Sequence, residues 1–432
     1  MGTATQTQRA ELSLLANFSW TVVGNLIYAA SQWAILAALT KLGTSEMVGQ
    51  FALGLAVTTP VIMFTNLSLR SIQATDAQNQ YHFSAYLALR LITSTIAFFV
   101  ILAIAMTVDY PWPVKAIILA IGLTKIVESV SDIFYGLLQQ HEHMDRIAQS
   151  LILRGPLSLA VVLVGIYLTG SLFWSVLGMG IVWGLILLMW DIRSGTMVLQ
   201  HLTSQNSLPW PRWRFNTLRQ LVPFSLPLGV VMMLIALISN IPRYFLEQNL
   251  GTGALGIFAA IAYLQVAGTT IIVALGESAV PRLAKYHAAG DRAAYLALLL
   301  RLLGIGLLVG GGGVAIAWTM GEPLLALIYQ PEYAQKELFV WLMLAGGVSY
   351  IASFLGYGMT AARHFRIQLP LFAAVAATTT VACWWLIPTH GLIGAAMALL
   401  LASGVQVCIS VLVILWIQHS LTANRLSRAV AA

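Results

Sequence analysis

The chain has 432 residues, of which 59% are hydrophobic and 9% charged, with a formal net charge of +7. Soluble domains carry about 45–50% apolar and about 25% charged residues, so this chain lacks the polar surface of a water-soluble globule or a disordered protein. Its two cysteines, Cys383 and Cys408, both lie in apolar runs, which excludes a disulfide framework and a thiolate metal site.

A helix needs roughly 20 apolar residues to cross about 30 Å of hydrocarbon. On that measure the chain is an all-α polytopic membrane protein with about twelve spans, near 14–38, 47–69, 84–108, 114–137, 150–169, 171–191, 220–244, 254–280, 296–320, 337–361, 369–388 and 391–417. The apolar run after Glu11 is too long for a cleavable signal and reads as a retained first span. On this first span Asn17, Thr21, Asn25, Tyr28 and Gln32 fall within an arc of about 80°, and Thr59, Asn66 and Arg70 align on the second. The fourth span carries Lys125, Glu128, Ser129, Asp132 and Gln139 within about 100°. An uncompensated charge at the bilayer centre costs between about 3 and 17 kcal/mol, which marks these residues for function. Lys125 and Glu128 can pair at i,i+3 spacing, whereas Asp132 has no evident partner. Any one polar stripe is explained by hydrogen bonding between helices; together they point to a hydrated lumen.

In the seventh span Ser225, Gly229, Ala236, Ser239 and Arg243 form another stripe, with Pro223, Pro227 and Pro242 expected to bend or interrupt the helix. Arg243 either snorkels to headgroups or lines the lumen. His141 and His143 cannot share a helix face as metal ligands, and Gly310 to Gly313 lacks the Lys-Ser/Thr of a phosphate loop, so it is read as a helix-packing site. No catalytic, metal or cofactor set emerges. The major-facilitator signature G-x-x-x-D-R-x-G is missing between the second and third spans.

With the N-terminus inside, seventeen basic residues, Arg90 and Arg154 among them, are assigned to cytoplasmic segments; the outside holds Lys41, Lys115, Arg243 and Lys336. This asymmetry predicts an even number of spans and two cytoplasmic termini. The basic excess is a topology signal, and nucleic acid is excluded as a partner. Leu42-Gly43-Thr44 through Gly49-Gln50-Phe51-Ala52 reads like Leu250-Gly251-Thr252 through Gly256-Ile257-Phe258-Ala259, about 207 residues on. Tyr135-Gly136, before His141, His143 and Arg146, is echoed by Tyr357-Gly358, before Arg363, His364 and Arg366. Six spans per half make this a parallel internal repeat, with a six-helix lobe at 1–191, a cytoplasmic interfacial linker at 192–219 and a second six-helix lobe at 220–432. Tryptophans and arginines interleave in the linker, from Pro209 to Arg214, as suits the headgroup region. No outside loop exceeds about 20 residues, which leaves no room for an extracytoplasmic catalytic domain.

The run Gly49-Gln50-Phe51-Ala52-Leu53-Gly54 to Leu69-Arg70 and Ala74-Thr75-Asp76 resembles the first helical pair of the polysaccharide-biosynthesis flippases, the O-antigen (Wzx-like) branch of the multidrug/oligosaccharidyl-lipid/polysaccharide (MOP) superfamily. So do Asn240-Ile241-Pro242-Arg243 through Gly256-Ile257-Phe258, Pro281-Arg282-Leu283-Ala284, and Glu128-Ser129 to Gln139-Gln140-His141-Glu142. The resemblance implies flipping of an undecaprenyl-pyrophosphate-linked oligosaccharide across the bacterial inner membrane, by transport rather than catalysis. Its partners would be the lipid-linked oligosaccharide, membrane lipid, H+ or Na+ as coupling ion, and polysaccharide assembly proteins. Lys125, Arg243, Arg70, Asn25 and Gln32 are then the candidates for substrate binding, and Glu128, Asp132 and Glu277 for ion or proton coupling. Two alternatives stand beside it. A cation-coupled multidrug exporter of the same superfamily would want a more acidic pocket than one holding Lys125, and a membrane glycan polymerase or ligase would want a large outside loop.

Overall fold

The computed structural model describes residues 14–76, 80–203, 210–211, 213, 215–362 and 365–431, and no strand occurs among them. The helices are α1 (Leu14–Leu42), α2 (Ser45–Asn66), α3 (Leu69–Ala74), α4 (Phe83–Thr107), α5 (Trp112–Gln140), α6 (Met144–Thr169), α7 (Leu172–Ile186), α8 (Ile192–Thr203), α9 (Phe215–Tyr263), α10 (Gln265–Ala289), α11 (Arg292–Ile328), α12 (Lys336–Ala361) and α13 (Phe365–Ala431). Among the described residues, ten helical stretches are long and apolar enough to cross a membrane. α5 falls outside these ten because Lys125, Glu128 and Asp132 crowd its middle, and α13 counts once although it turns at Gly391, where φ is 59°. Adding α5 and dividing α13 at that turn gives the twelve crossings expected. Large apolar side chains such as Leu308, Trp384, Trp385 and Leu412 are exposed, as befits a multi-pass protein whose solvent is lipid.

The prolines do not interrupt the seventh span. α9 runs through Pro223, Pro227 and Pro242, and its only non-helical residue is Gly251, at φ 82° and ψ 174°, a conformation open to glycine. In a low-dielectric medium the carbonyl freed by an internal proline needs another donor. For Pro60 in α2 that carbonyl belongs to Ala56, and the Tyr244 hydroxyl donates to it.

The chain separates into two compact units. Unit 1 comprises residues 1–35 and 61–229, and unit 2 residues 36–60 and 230–432. This partition differs from lobes at 1–191 and 220–432: residues 36–60 group with the second half, and α8 and the start of α9 group with the first. In unit 1, Leu69, Tyr86, Phe134, Leu138 and Leu221 belong to one apolar core; in unit 2, Tyr295, Leu299, Phe354, Val375 and Ile414 do the same. Of the linker expected to be interfacial, Trp210 and Trp213 are exposed, while Arg212 and Arg214 lie outside the described residues. Arg9 and the pair Arg363 and His364 also lie outside them.

The grouping of 36–60 with unit 2 has a local cause in the repeat. A Cβ on Gly49 would collide with the Thr252 carbonyl, and one on Gly256 with the Ser45 carbonyl. The two repeated segments cross face to face, each glycine against the residue four before the other. Small residues at such spacing let helix backbones touch where lipid supplies no hydrophobic drive. Gly310 to Gly313 follows the same logic at one position, Gly310, which abuts Gly347. Gly49→Ala or Gly256→Ala should cost about 1–3 kcal/mol, because the obstacle is backbone and cannot swing aside. Gly311→Ala, which meets nothing within 4 Å, should leave stability unchanged or raised. Thermal unfolding of the detergent-solubilised chain distinguishes them; equal melting temperatures for all three would refute the crossing.

Candidate functional site

The charged face of α5 meets three other helices inside unit 1. Thr21, Asn25 and Tyr28 of α1, Arg70 of α3, Glu128, Asp132 and Tyr135 of α5, and Met144, Ile147, Ala148, Leu151 and Arg154 of α6 enclose a cavity of about 200 Å³. The helical repeat accounts for the convergence: the α1 residues recur at 21, 25 and 28, those of α5 at 128, 132 and 135. α1 and α6 approach closely because Gly24 faces Ala148, where a Cβ would lie 2.7 Å from the Ala148 Cα.

Three linked polar clusters surround the cavity. In the first, Lys125 Nζ is 2.8 Å from Glu128 Oε2, and the Tyr28 hydroxyl donates to Glu128 Oε1 at 3.1 Å. In the second, Asp132 receives Arg70 at 3.1 Å and Arg90 at 3.6 Å. Arg70 Nε also donates to Gln139, and Arg90 Nη1 to the Asn66 side-chain carbonyl. The third is fully buried. Arg154 Nη2 lies 3.1 Å from Asp191, Ser150 donates to the other Asp191 oxygen at 2.6 Å, and the Tyr135 and Ser150 hydroxyls are 2.7 Å apart. Arg154 packs 5.0 Å from the Trp183 ring centre, and Trp183 donates to Ser158. Asp191 is the last residue of a single π-helical turn, 187–191, between α7 and α8. Arg70, Arg90, Lys125 and Arg154 against Glu128, Asp132 and Asp191 leave one positive charge in excess. Beyond the span, burial and next His143 lower the His141 pKa from its ordinary value.

Among the residues expected from sequence, Asn25, Arg70, Glu128 and Asp132 are brought together on the cavity wall. Lys125 stands behind Glu128 rather than on the wall. Gln32 also lies off it, with Nε2 buried and unbonded. Arg243 and Glu277 belong to unit 2: Arg243 donates to Asn240 at 3.1 Å, and Glu277 is exposed on α10. The stripe on α9 is largely packing, since Ser225 and Ala236 are buried and Gly229 abuts Phe64 and Leu67. Asp132 is not without a partner, as two arginines hold it. Arg90 and Arg154 are not in cytoplasmic segments either: both are 1% exposed inside α4 and α6, ion-paired to carboxylates. No cluster suited to a metal ion occurs among the described residues.

The family described as polysaccharide biosynthesis protein matches residues 14–287. A capsular polysaccharide biosynthesis protein of Staphylococcus aureus, CapF, is 26% identical over 393 residues, covering 89% of this chain and 95% of that protein. Among solved structures, the lipid II flippase MurJ in an inward closed conformation superposes with a TM-score of 0.70 at 9% identity, over 94% of this chain and 90% of the other. An inward-facing multidrug resistance MATE family transporter of the MOP superfamily gives 0.63 at 14% identity, over 94% and 95%. At such identities the structures share a fold.

Breaking the buried pair tests the third cluster. Arg154→Met leaves Asp191 charged and unmatched and should cost about 3–5 kcal/mol, whereas Arg154→Met with Asp191→Leu should recover most of that loss. Glu128→Gln, in a pair about 30% exposed, should cost far less. The yield of monodisperse protein after heating reads all three; an Arg154→Met variant as stable as the parent would show that Asp191 is not held by it.

Proposed function

The chain belongs to the polysaccharide biosynthesis protein family, and we propose that it carries a lipid-linked oligosaccharide, joined through pyrophosphate to undecaprenol, from the cytoplasmic to the outer leaflet of the bacterial inner membrane. The observation that carries this reading is a polar cavity inside a membrane-spanning unit, bordered by three ion-pair clusters that together carry one excess positive charge. A pyrophosphate cannot cross hydrocarbon unaided, and a carrier must replace its water with fixed polar groups while the prenyl tail stays in lipid. In this reading both termini are cytoplasmic, Arg70 and Arg154 receive the anionic head, and Asn25 and Tyr28 meet sugar hydroxyls. Glu128 and Asp132 change partners or protonation as the carrier alternates between inward-open and outward-open states, with H+ or Na+ as the coupling ion. Lys125 acts through Glu128, while Gln32, Arg243 and Glu277 stand off this cavity and are not assigned to the head. The work is translocation, with no bond made or broken. Excess positive charge opposes cationic cargo, which weighs against drug export.

A strain lacking the protein should accumulate lipid-linked repeat units on the inner leaflet and lose surface glycan. Re-expressed wild-type chain should restore it, and Arg70→Ala or Asp132→Asn, inserted at normal levels, should restore at least tenfold less. Normal surface glycan from both variants would sink the role of this cavity. Altered drug susceptibility with unchanged glycan in the deletion strain would replace the reading by drug export.

A further inference from the structure

Between α2 and α3 the backbone does something that its residues disfavour. Leu67 and the next residue, Ser68, both adopt φ of 50°, in the left-handed region where an L side chain meets the carbonyl that follows it. Local chemistry does not excuse them: the Ser68 side chain makes no capping bond, and Leu67 is a buried apolar residue. Ser45–Ala74 is otherwise one apolar stretch of 30 residues, which could continue as a single helix. A strained turn persists only where surrounding contacts over-determine it.

Leu67 packs against Gly229 in the apolar core, and the polar contacts on both flanks converge on one carboxylate. Asn66, just before the turn, accepts from Arg90, and Arg90 lies 3.6 Å from Asp132. Arg70, just after the turn, lies 3.1 Å from the other oxygen of Asp132 and donates through Nε to Gln139 at 3.1 Å. Both flanks of Leu67-Ser68 are therefore tethered to α5, one directly and one through a single arginine. Arg70 and Asp132 also line the cavity, so an anion entering it competes with Asp132 for Arg70.

We propose that Leu67-Ser68 is a strained switch held by Asp132, broken while Asp132 grips Arg70 and Arg90, and relaxing toward a continuous α2–α3 helix when Arg70 is drawn away by an anion or the Asp132 carboxylate is replaced. Cargo binding would thus become a change in helix direction. The identity of the anion rests on the transport reading; the switch itself does not, and can be tested without cargo.

Spin labels at Val61→Cys and Thr75→Cys, in full-length chain carrying Cys383→Ala and Cys408→Ser, report the turn by pulsed electron resonance. A continuous helix would separate the two backbones by about 21 Å, at 1.5 Å per residue. The parent should populate mainly a shorter distance. Asp132→Asn should raise the long-distance population at least fivefold. Adding Ser68→Gly, which removes the left-handed penalty at that residue, should reverse the shift, and Ser68→Val in the parent should act like Asp132→Asn. The proposal is overturned if Asp132→Asn leaves the distances unchanged, or if Ser68→Gly and Ser68→Val move them in the same direction. The deletion strain tests the cargo separately: normal surface glycan there removes the transport reading and leaves the distance result standing.

Discussion

A charge in hydrocarbon must find a counter-charge or water, and in this chain that requirement organises unit 1. Asp132 draws in α3 and α4 through Arg70 and Arg90, Asp191 draws α6 to the π-helical turn after α7 through Arg154, and Glu128 ties α5 to α1 through Tyr28. Interhelical hydrogen bonds are modest individually in membranes. Their value is greatest at the buried pair, where removing Arg154 leaves Asp191 as an ion that cannot be solvated. The same constraint that fixes helix positions leaves one cation in excess beside a space large enough for a small polar group.

What could be read from sequence follows from what is local. Helical periodicity is local, so the shared faces of Asn25 with Tyr28 and of Glu128 with Asp132 were legible, as were the spans. The partners of Asp132 and Asp191 were not, because pairing is a tertiary relation. Arg90 and Arg154 fall within the first two turns of their predicted spans, where a cation is ordinarily taken to snorkel outward; the helices instead turn both inward. Proline was over-weighted for a related reason. Its cost is a free carbonyl and a clash, and a neighbouring helix can satisfy the carbonyl, as Tyr244 does for Ala56. Glycine at positive φ has no such substitute, and the breaks fall at Gly251 and Gly391. Leu67 and Ser68 carried no signal at all, since neither residue type favours a positive φ.

The second sequence echo, taken as a register, aligns the sequences of unlike helices. The offset of 222 residues that takes Tyr135-Gly136 to Tyr357-Gly358 carries α5 onto α12. Lys125, Glu128 and Asp132 then fall on Gly347, Tyr350 and Phe354. Each replacement is packing in place of charge: Gly347 admits Gly310 of α11, Tyr350 donates to the Gln265 carbonyl, and Phe354 is fully buried in the core of unit 2. One helix of the pair spends its inward face on ions and the other on close contact. A helix packed as α12 is gains nothing by moving apart from its neighbours, whereas ion pairs can exchange one partner for another with little net change in energy. On the transport reading proposed above, a carrier passing through two states without a large barrier draws on contacts of the second kind, and in this chain the α5 face of unit 1 holds them.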